Sequence, residues 1–391
     1  GMQLNTNYDD LYRQIKNIEE HFLDCTNANS SAAYYGTYLN LVQFYYRATY
    51  QNPFNPKINR NKYVKFAGLQ QLNSISHKRL EHFIQNQTDH LSFISSSFFD
   101  FVDVVEDFGD SDYYNSIFWK SSPIISDFEI QDILSSFFRD CCPEMQELFD
   151  SFLEQKKFYM LPQSELFSGR DGCTLYNPVE NESNVFFSSR IHSLRLLSLI
   201  VHELSHVEDF SDYFQKASSI NVCLYQMRSP FCEVPAFYNQ FHLYEYLLKN
   251  DIYKDAVMVE LMSEFNGLID FMDDLLLFSV FSSNELRKRS NFISREKILA
   301  DVLEQGEEND FFEFDESGLV NENISLDDSI PYSYGPLLAI AMMDDEALYR
   351  KFSMIRGDYF DKDKLSSIGL SQEDVSQKVM KKCDDFLGKY L

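Results

Sequence analysis

Two histidines four residues apart bracket a glutamate in the stretch His202-Glu203-Leu204-Ser205-His206. On a helix that spacing puts both imidazoles on one face, close enough to hold a single ion. Glu203 then lies where it can take a proton from a water on the ion's open side. The flanks predict the helix. Leu194, Leu197, Leu199, Ile200, Val201 and Leu204 make an almost continuous apolar run, so most of the helix is expected to be buried. Buried imidazoles and a buried carboxylate each need a partner, and a metal ion supplies one for all three. The plainer alternative is a helix whose two histidines are satisfied by ordinary side chains, because so short a motif also arises by chance.

Catalytic zinc normally takes three protein ligands and leaves the fourth position to water. Two carboxylates compete for the third place. Asp212 stands where a compact HExxHxxGxxH/D pattern has its last ligand, but that pattern needs a glycine for its sharp turn, and Asp209 occupies the position. A helix running on from His206 carries Asp212 about 9 Å further along the axis, out of reach. Glu233 lies 27 residues beyond His206, in Phe231-Cys232-Glu233-Val234-Pro235. Proline is tolerated in a first helical turn, so Glu233 is expected to open a second helix that packs back on the first. A glutamate there would also answer the helix dipole. The spacing favours Glu233, and the ligand set His202, His206 and Glu233 suits Zn²⁺. Asp209 is expected either to support a histidine from behind or to be solvated. His192 is about 15 Å back along the helix and His242 is nearly opposite Glu233 on its own, so neither is expected to ligate.

The elements that must position these groups follow from periodicity. Apolar residues at three- and four-residue spacing predict helices over Tyr8–Leu23, Ala32–Thr49, Leu69–Ile84 and Ile130–Glu154; Phe93–Val105 fits helix or strand. Phe158–Leu161, Cys173–Tyr176 and Asn184–Phe187 read as short strands just before the histidine helix. An exposed edge of such a sheet can bind a peptide by strand addition. After a turn at Ser218–Asn221 a helix is expected to restart near Phe231, followed by helices at Ile252–Phe281 and Ser294–Glu304. An acidic loop is expected at Gly306–Ser329, then helices at Gly335–Arg356 and Ser371–Leu391. The reading is a mainly α (α+β) chain of 391 residues, a helical region at 2–156 and a catalytic region at 157–391.

Composition narrows the partners. With 61 acidic against 34 basic residues the net charge is −27, which opposes binding to a phosphate backbone, so no nucleic-acid partner is expected. No leader-like segment follows Met2 and no apolar run approaches the ~18 residues of a membrane span, so a soluble, cytoplasmic protein with no membrane partner is expected. Seven irregularly spaced cysteines without a CxxC read as free thiols.

An HExxH followed by a distant helical glutamate resembles the gluzincin arrangement of zinc metallopeptidases. Phe231-Cys232-Glu233-Val234-Pro235 is similar to the thimet oligopeptidase and neurolysin family, in which proline follows the zinc glutamate by two residues. Ile330-Pro331-Tyr332-Ser333-Tyr334-Gly335 resembles that family's tyrosine-rich loop, which runs into a helix. The resemblance covers three short pieces of the second half. Ser205 stands where the family often has glycine, and the family's glycine- and histidine-rich loop is absent. The resemblance implies hydrolysis of a peptide or protein substrate. His202, His206 and Glu233 would hold zinc, Glu203 would act as the base, and Tyr334 or Tyr332 would stabilise the oxyanion, with Tyr238 and His242 as competitors for that last role. A non-peptide amide or ester substrate, or a helical interaction protein keeping a metal site, are the alternative readings.

Overall fold

The computed structural model describes residues 2–23, 28–61, 63–162, 171–216, 229–289, 303, 321–357 and 359–391. The chain is mainly helical with one small sheet. Helices α1 (Asp9–Leu23), α2 (Ala28–Thr49), α3 (Pro56–Arg60) and α4 (Leu69–Gln85) come first, with one π-helical turn before α4. Next are α5 (Gln87–Gly109), α6 (Asp112–Ile117), α7 (Asp127–Cys141) and α8 (Glu144–Glu154). Strands β1 (Phe158–Leu161), β2 (Gly172–Asn177) and β3 (Glu182–Ser188) lead into α9 (Ser193–Lys216). The remainder is α10 (Val234–Lys249), α11 (Lys254–Val280), α12 (Ser283–Arg289), α13 (Asn321–Met342), α14 (Glu346–Ile355), α15 (Lys362–Ser367) and α16 (Gln372–Leu387). Among the described residues no helix is long and apolar enough to cross a membrane, and the five described cysteines are unbridged. The turn expected at Ser218–Asn221, the helix at Ser294–Glu304 apart from residue 303, and most of the acidic loop lie outside the described residues.

The sheet separates two apolar cores. Its order is β1-β3-β2, with β1 parallel and β2 antiparallel to β3. Alternate residues of a strand face opposite ways, so Phe158, Val185 and Phe187 enter the large core while Tyr159, Leu161 and Phe186 enter a smaller one built on α1, α2 and α4. Burial on both faces explains why β1 and β3 read as continuous apolar runs rather than alternating ones. The large core draws side chains from both sides of residue 156, because α5 lies along α11 and α16.

Asn5 bridges to β1, so β2 is the sheet's outer strand among the described residues. The Ser188 amide donates to the Asp171 carbonyl at 2.9 Å, which sets the phase of the antiparallel ladder. Pairing alternates along such a ladder, so the backbone groups of Gly172, Thr174 and Tyr176 point away from β3.

Four expectations need correction. Ile130–Glu154 is two helices, because Pro143 forces Cys142 out of helical geometry (φ −151°, ψ 74°). Likewise, Gly335–Arg356 is split between α13 and α14, with Asp345 capping the second by accepting from the Leu348 amide. Residues 321–329, expected as loop, are helical. The tyrosine segment, expected as a loop, also lies inside α13 with Pro331 and Pro336. Proline forfeits an amide donor and crowds the preceding turn, but Tyr334 and Leu337–Met343 are buried, and that packing overrides the local preference.

Candidate metal centre

Helix α9 begins beneath the sheet, where His192 Nδ1 accepts from the Arg195 amide at 3.2 Å and caps it. Leu194, Leu197, Ile200, Val201 and Leu204 fix it in the large core. Two turns along, His202 and His206 project toward the start of α10. Glu233 is the N-cap residue of that helix (φ −90°, ψ −6°), its carbonyl accepts from the Phe237 amide, and Pro235 sits in the first turn. This geometry brings three ligand atoms together. Glu233 Oε2 is 3.2 Å from His202 Nε2 and 2.8 Å from His206 Nε2. All three residues are buried, and their ligand atoms lie within 4.8 Å of one another, a group that could hold a metal ion. The imidazoles are walled by Phe237, edge-on to His202, and by Phe210, stacked on His206.

The electrostatics favour a positive charge. Burial works against the Glu233 carboxylate, yet His206 and His202 hold its pKa well below the usual range. Burial likewise opposes a charged His206, but Glu233, Glu203 and Asp209 outweigh it and raise that imidazole to about 9. The donor set fits a metal on a second observation. His202 Nδ1 lies 2.8 Å from the Gln240 amide oxygen, which accepts its proton. With that proton on Nδ1, His202 turns Nε2 toward Glu233 Oε2 3.2 Å away, and Nε2 is the atom that a shared cation would take.

Glu203 lies under the outer strand. Thr174 Oγ1 donates to Glu203 Oε2 at 2.5 Å, and a Cβ at Gly172 would lie 3.3 Å from Oε1. The outward backbone of β2 therefore runs directly beside this carboxylate.

The other residues weighed for the site lie elsewhere. Asp212 is exposed and paired with Lys216 at 2.7 Å. Asp209 is buried and ion-paired with Arg356. His192 pairs with Glu260 at 2.8 Å. Tyr238 and His242 line a separate cavity of about 650 Å³ that none of His202, Glu203, His206 and Glu233 borders. Tyr334 is fully buried, with its hydroxyl 2.6 Å from His90 Nδ1 and its ring stacked on Phe360. Tyr332 is half-buried against Phe271 and Phe237, and Phe237 in turn touches His202. Sequence reasoning missed Gln240, Thr174 and Arg356. Gln240 had a usable signal, since it follows Glu233 by seven residues, two turns along the same helix face.

The chain matches no known family model, and no curated protein sequence matches it. A solved structure described as "putative peptidase from Chlamydophila abortus" superposes with a TM-score of 0.45 at 13% identity. The match covers 96% of this chain and 63% of that one, so this chain spans under two thirds of that protein's length.

Proposed function

We propose that this chain is a zinc-dependent peptidase of gluzincin type. The observation that carries the reading is the juxtaposition of two features. A buried His202–His206–Glu233 group lies on one side of α9, and Glu203 beside it sits under the outward-facing backbone of β2. Zinc held by the three residues would supply a Lewis acid that activates water and polarises a carbonyl. Glu203, steadied by Thr174, takes the proton of the attacking water and returns it to the leaving nitrogen. The backbone of Gly172, Thr174 and Tyr176 pairs with an extended peptide and lays its scissile bond across Glu203. Of the two tyrosines, we assign oxyanion stabilisation to Tyr332, because the Tyr334 hydroxyl is engaged by His90.

The test is metal content by elemental analysis, joined to cleavage of internally quenched peptides by the wild type and by Glu203→Gln. About one zinc per chain, with cleavage lost in a variant that keeps its zinc, is the expected result. Zinc without cleavage of any peptide, but with turnover of small amides or esters, would replace the substrate class. Absence of metal in a folded, zinc-supplemented protein would end the reading.

A further inference from the structure

Gln240 cannot by itself set the proton on His202. Its amide carries an oxygen on one side and an NH₂ of nearly the same shape on the other. Turning it over would aim the NH₂ at His202 Nδ1, move the imidazole proton to Nε2 and block the atom that must ligate. What decides the orientation lies on the amide's far side. Gln240 Nε2 donates to Tyr244 Oη at 2.8 Å and to Glu264 Oε1 at 3.0 Å. A tyrosine hydroxyl donates or accepts and is indifferent to the flip, whereas a carboxylate only accepts. Glu264 is held in turn by Arg195 Nη1, and Arg195 Nε donates to Asp171 Oδ2 at 3.0 Å.

The path crosses three helices. Arg195 is on α9 two turns before His202, Glu264 is on α11 and Gln240 is on α10, and the path ends at Asp171 beside the first residue of β2. Gln240 and Tyr244 are fully buried and the Glu264 side chain is 14% exposed, so water does not substitute freely for the bonds of Gln240.

We infer that Glu264, ion-paired to Arg195, is a positioning residue: it fixes the Gln240 amide and so keeps His202 Nε2 unprotonated and available to a metal. The inference rests on the metal-site reading above. It reaches beyond it, because it gives a role in metal affinity to two residues that touch neither the ligands nor the base.

The experiment exchanges the two side chains. In Glu264→Gln, built in an Arg195→Met chain because Arg195 donates to the same oxygen that accepts from Gln240 and would hold it in place, the residue facing Gln240 can present either an oxygen or an NH₂, so the orientation is no longer imposed. The metal-free protein, labelled with ¹⁵N-histidine and assigned by the signal missing in His202→Gln, should move from the Nδ1–H tautomer toward Nε2–H. Zinc affinity by chelator competition should fall about 10–100-fold. Adding Gln240→Glu in that background places an acceptor-only group against His202 and lets it accept from the new amide at position 264. That double variant should recover both the tautomer and an affinity close to wild type. Tyr244→Phe, which leaves Glu264 in place, should change neither. A Glu264→Gln protein with wild-type tautomer and affinity would overturn the inference, and so would a double variant no better than the single one. A tautomer that switches as described in a protein that never binds zinc would sink the metal reading and uphold the positioning role.

Discussion

Gly335 on α13 approaches Glu233 so closely that a Cβ at position 335 would lie 2.7 Å from the Cβ of Glu233. No other residue type fits without pushing the carboxylate aside, although glycine within a helix costs about 1 kcal/mol relative to alanine. We expect Gly335→Ala to lower stability by about 1–3 kcal/mol through overpacking. It should cost turnover more heavily, on the order of 10²-fold for a displacement near 1 Å. Urea denaturation checks the first and peptide cleavage rates the second, with chelator competition for zinc beside them. Unchanged zinc affinity would show that Glu233 does not need its present position.

Thr174 holds Glu203 without being able to replace it. Loss of the base in Glu203→Gln should lower kcat by about 10²–10⁴-fold. Thr174→Val should lower it by less, with zinc content unchanged in both. Equal rates for Thr174→Val and wild type would remove the strand's part in orienting the base.

The two tyrosines separate by what each loses. Tyr334→Phe leaves His90 Nδ1 without its buried partner and should destabilise the fold by about 1–3 kcal/mol with little effect on kcat. Tyr332→Phe should lower kcat by about 10²–10³-fold with little effect on stability. Kinetics and denaturation midpoints on both variants decide, and the reverse pattern would transfer the oxyanion role to Tyr334.

Acid should loosen the attachment of α1 to the sheet. Asp10 is half-buried, which raises its pKa, but bonds from Lys157 at 2.6 Å, Gln14 and Arg13 prevail and lower it to about 2. A folded-state pKa below the unfolded value near 4 means stabilisation that is complete above about pH 4 and lost as pH falls toward 2. Asp10→Asn should therefore unfold at lower urea than wild type at neutral pH, by less than about 1 kcal/mol for so exposed a carboxylate. The two midpoints should converge near pH 2. A gap that persists there would show that shape rather than charge matters at this position.

The parts of the molecule that local spacing determines were legible. The histidine helix, the three strands before it and Glu233 at the start of a helix with Pro235 in its first turn all follow from periodicity and turn chemistry. Tertiary packing hid the rest. The resemblance to a tyrosine-rich loop put Tyr332 and Tyr334 outside a helix, but the buried side chains around Tyr334 keep α13 helical through Pro331 and Pro336. His90 has no ligand-like spacing in the sequence, and its bond to Tyr334 spans 244 residues, beyond any local pattern. Glu264 carries no signature of its own, because its meaning lies in which donor faces which acceptor across three helices.

The phase of β2 has a consequence for what a substrate can be. If a peptide pairs with the outward groups of Gly172, Thr174 and Tyr176, it must offer an amide hydrogen at every second residue, about 7 Å apart. Proline has none to offer, so a proline walked along a substrate should abolish cleavage at alternate positions and be tolerated between them. N-methylation at the same sites should trace the same alternation. The edge of the sheet would then act as a ruler that reads the backbone of its substrate before any side chain is recognised.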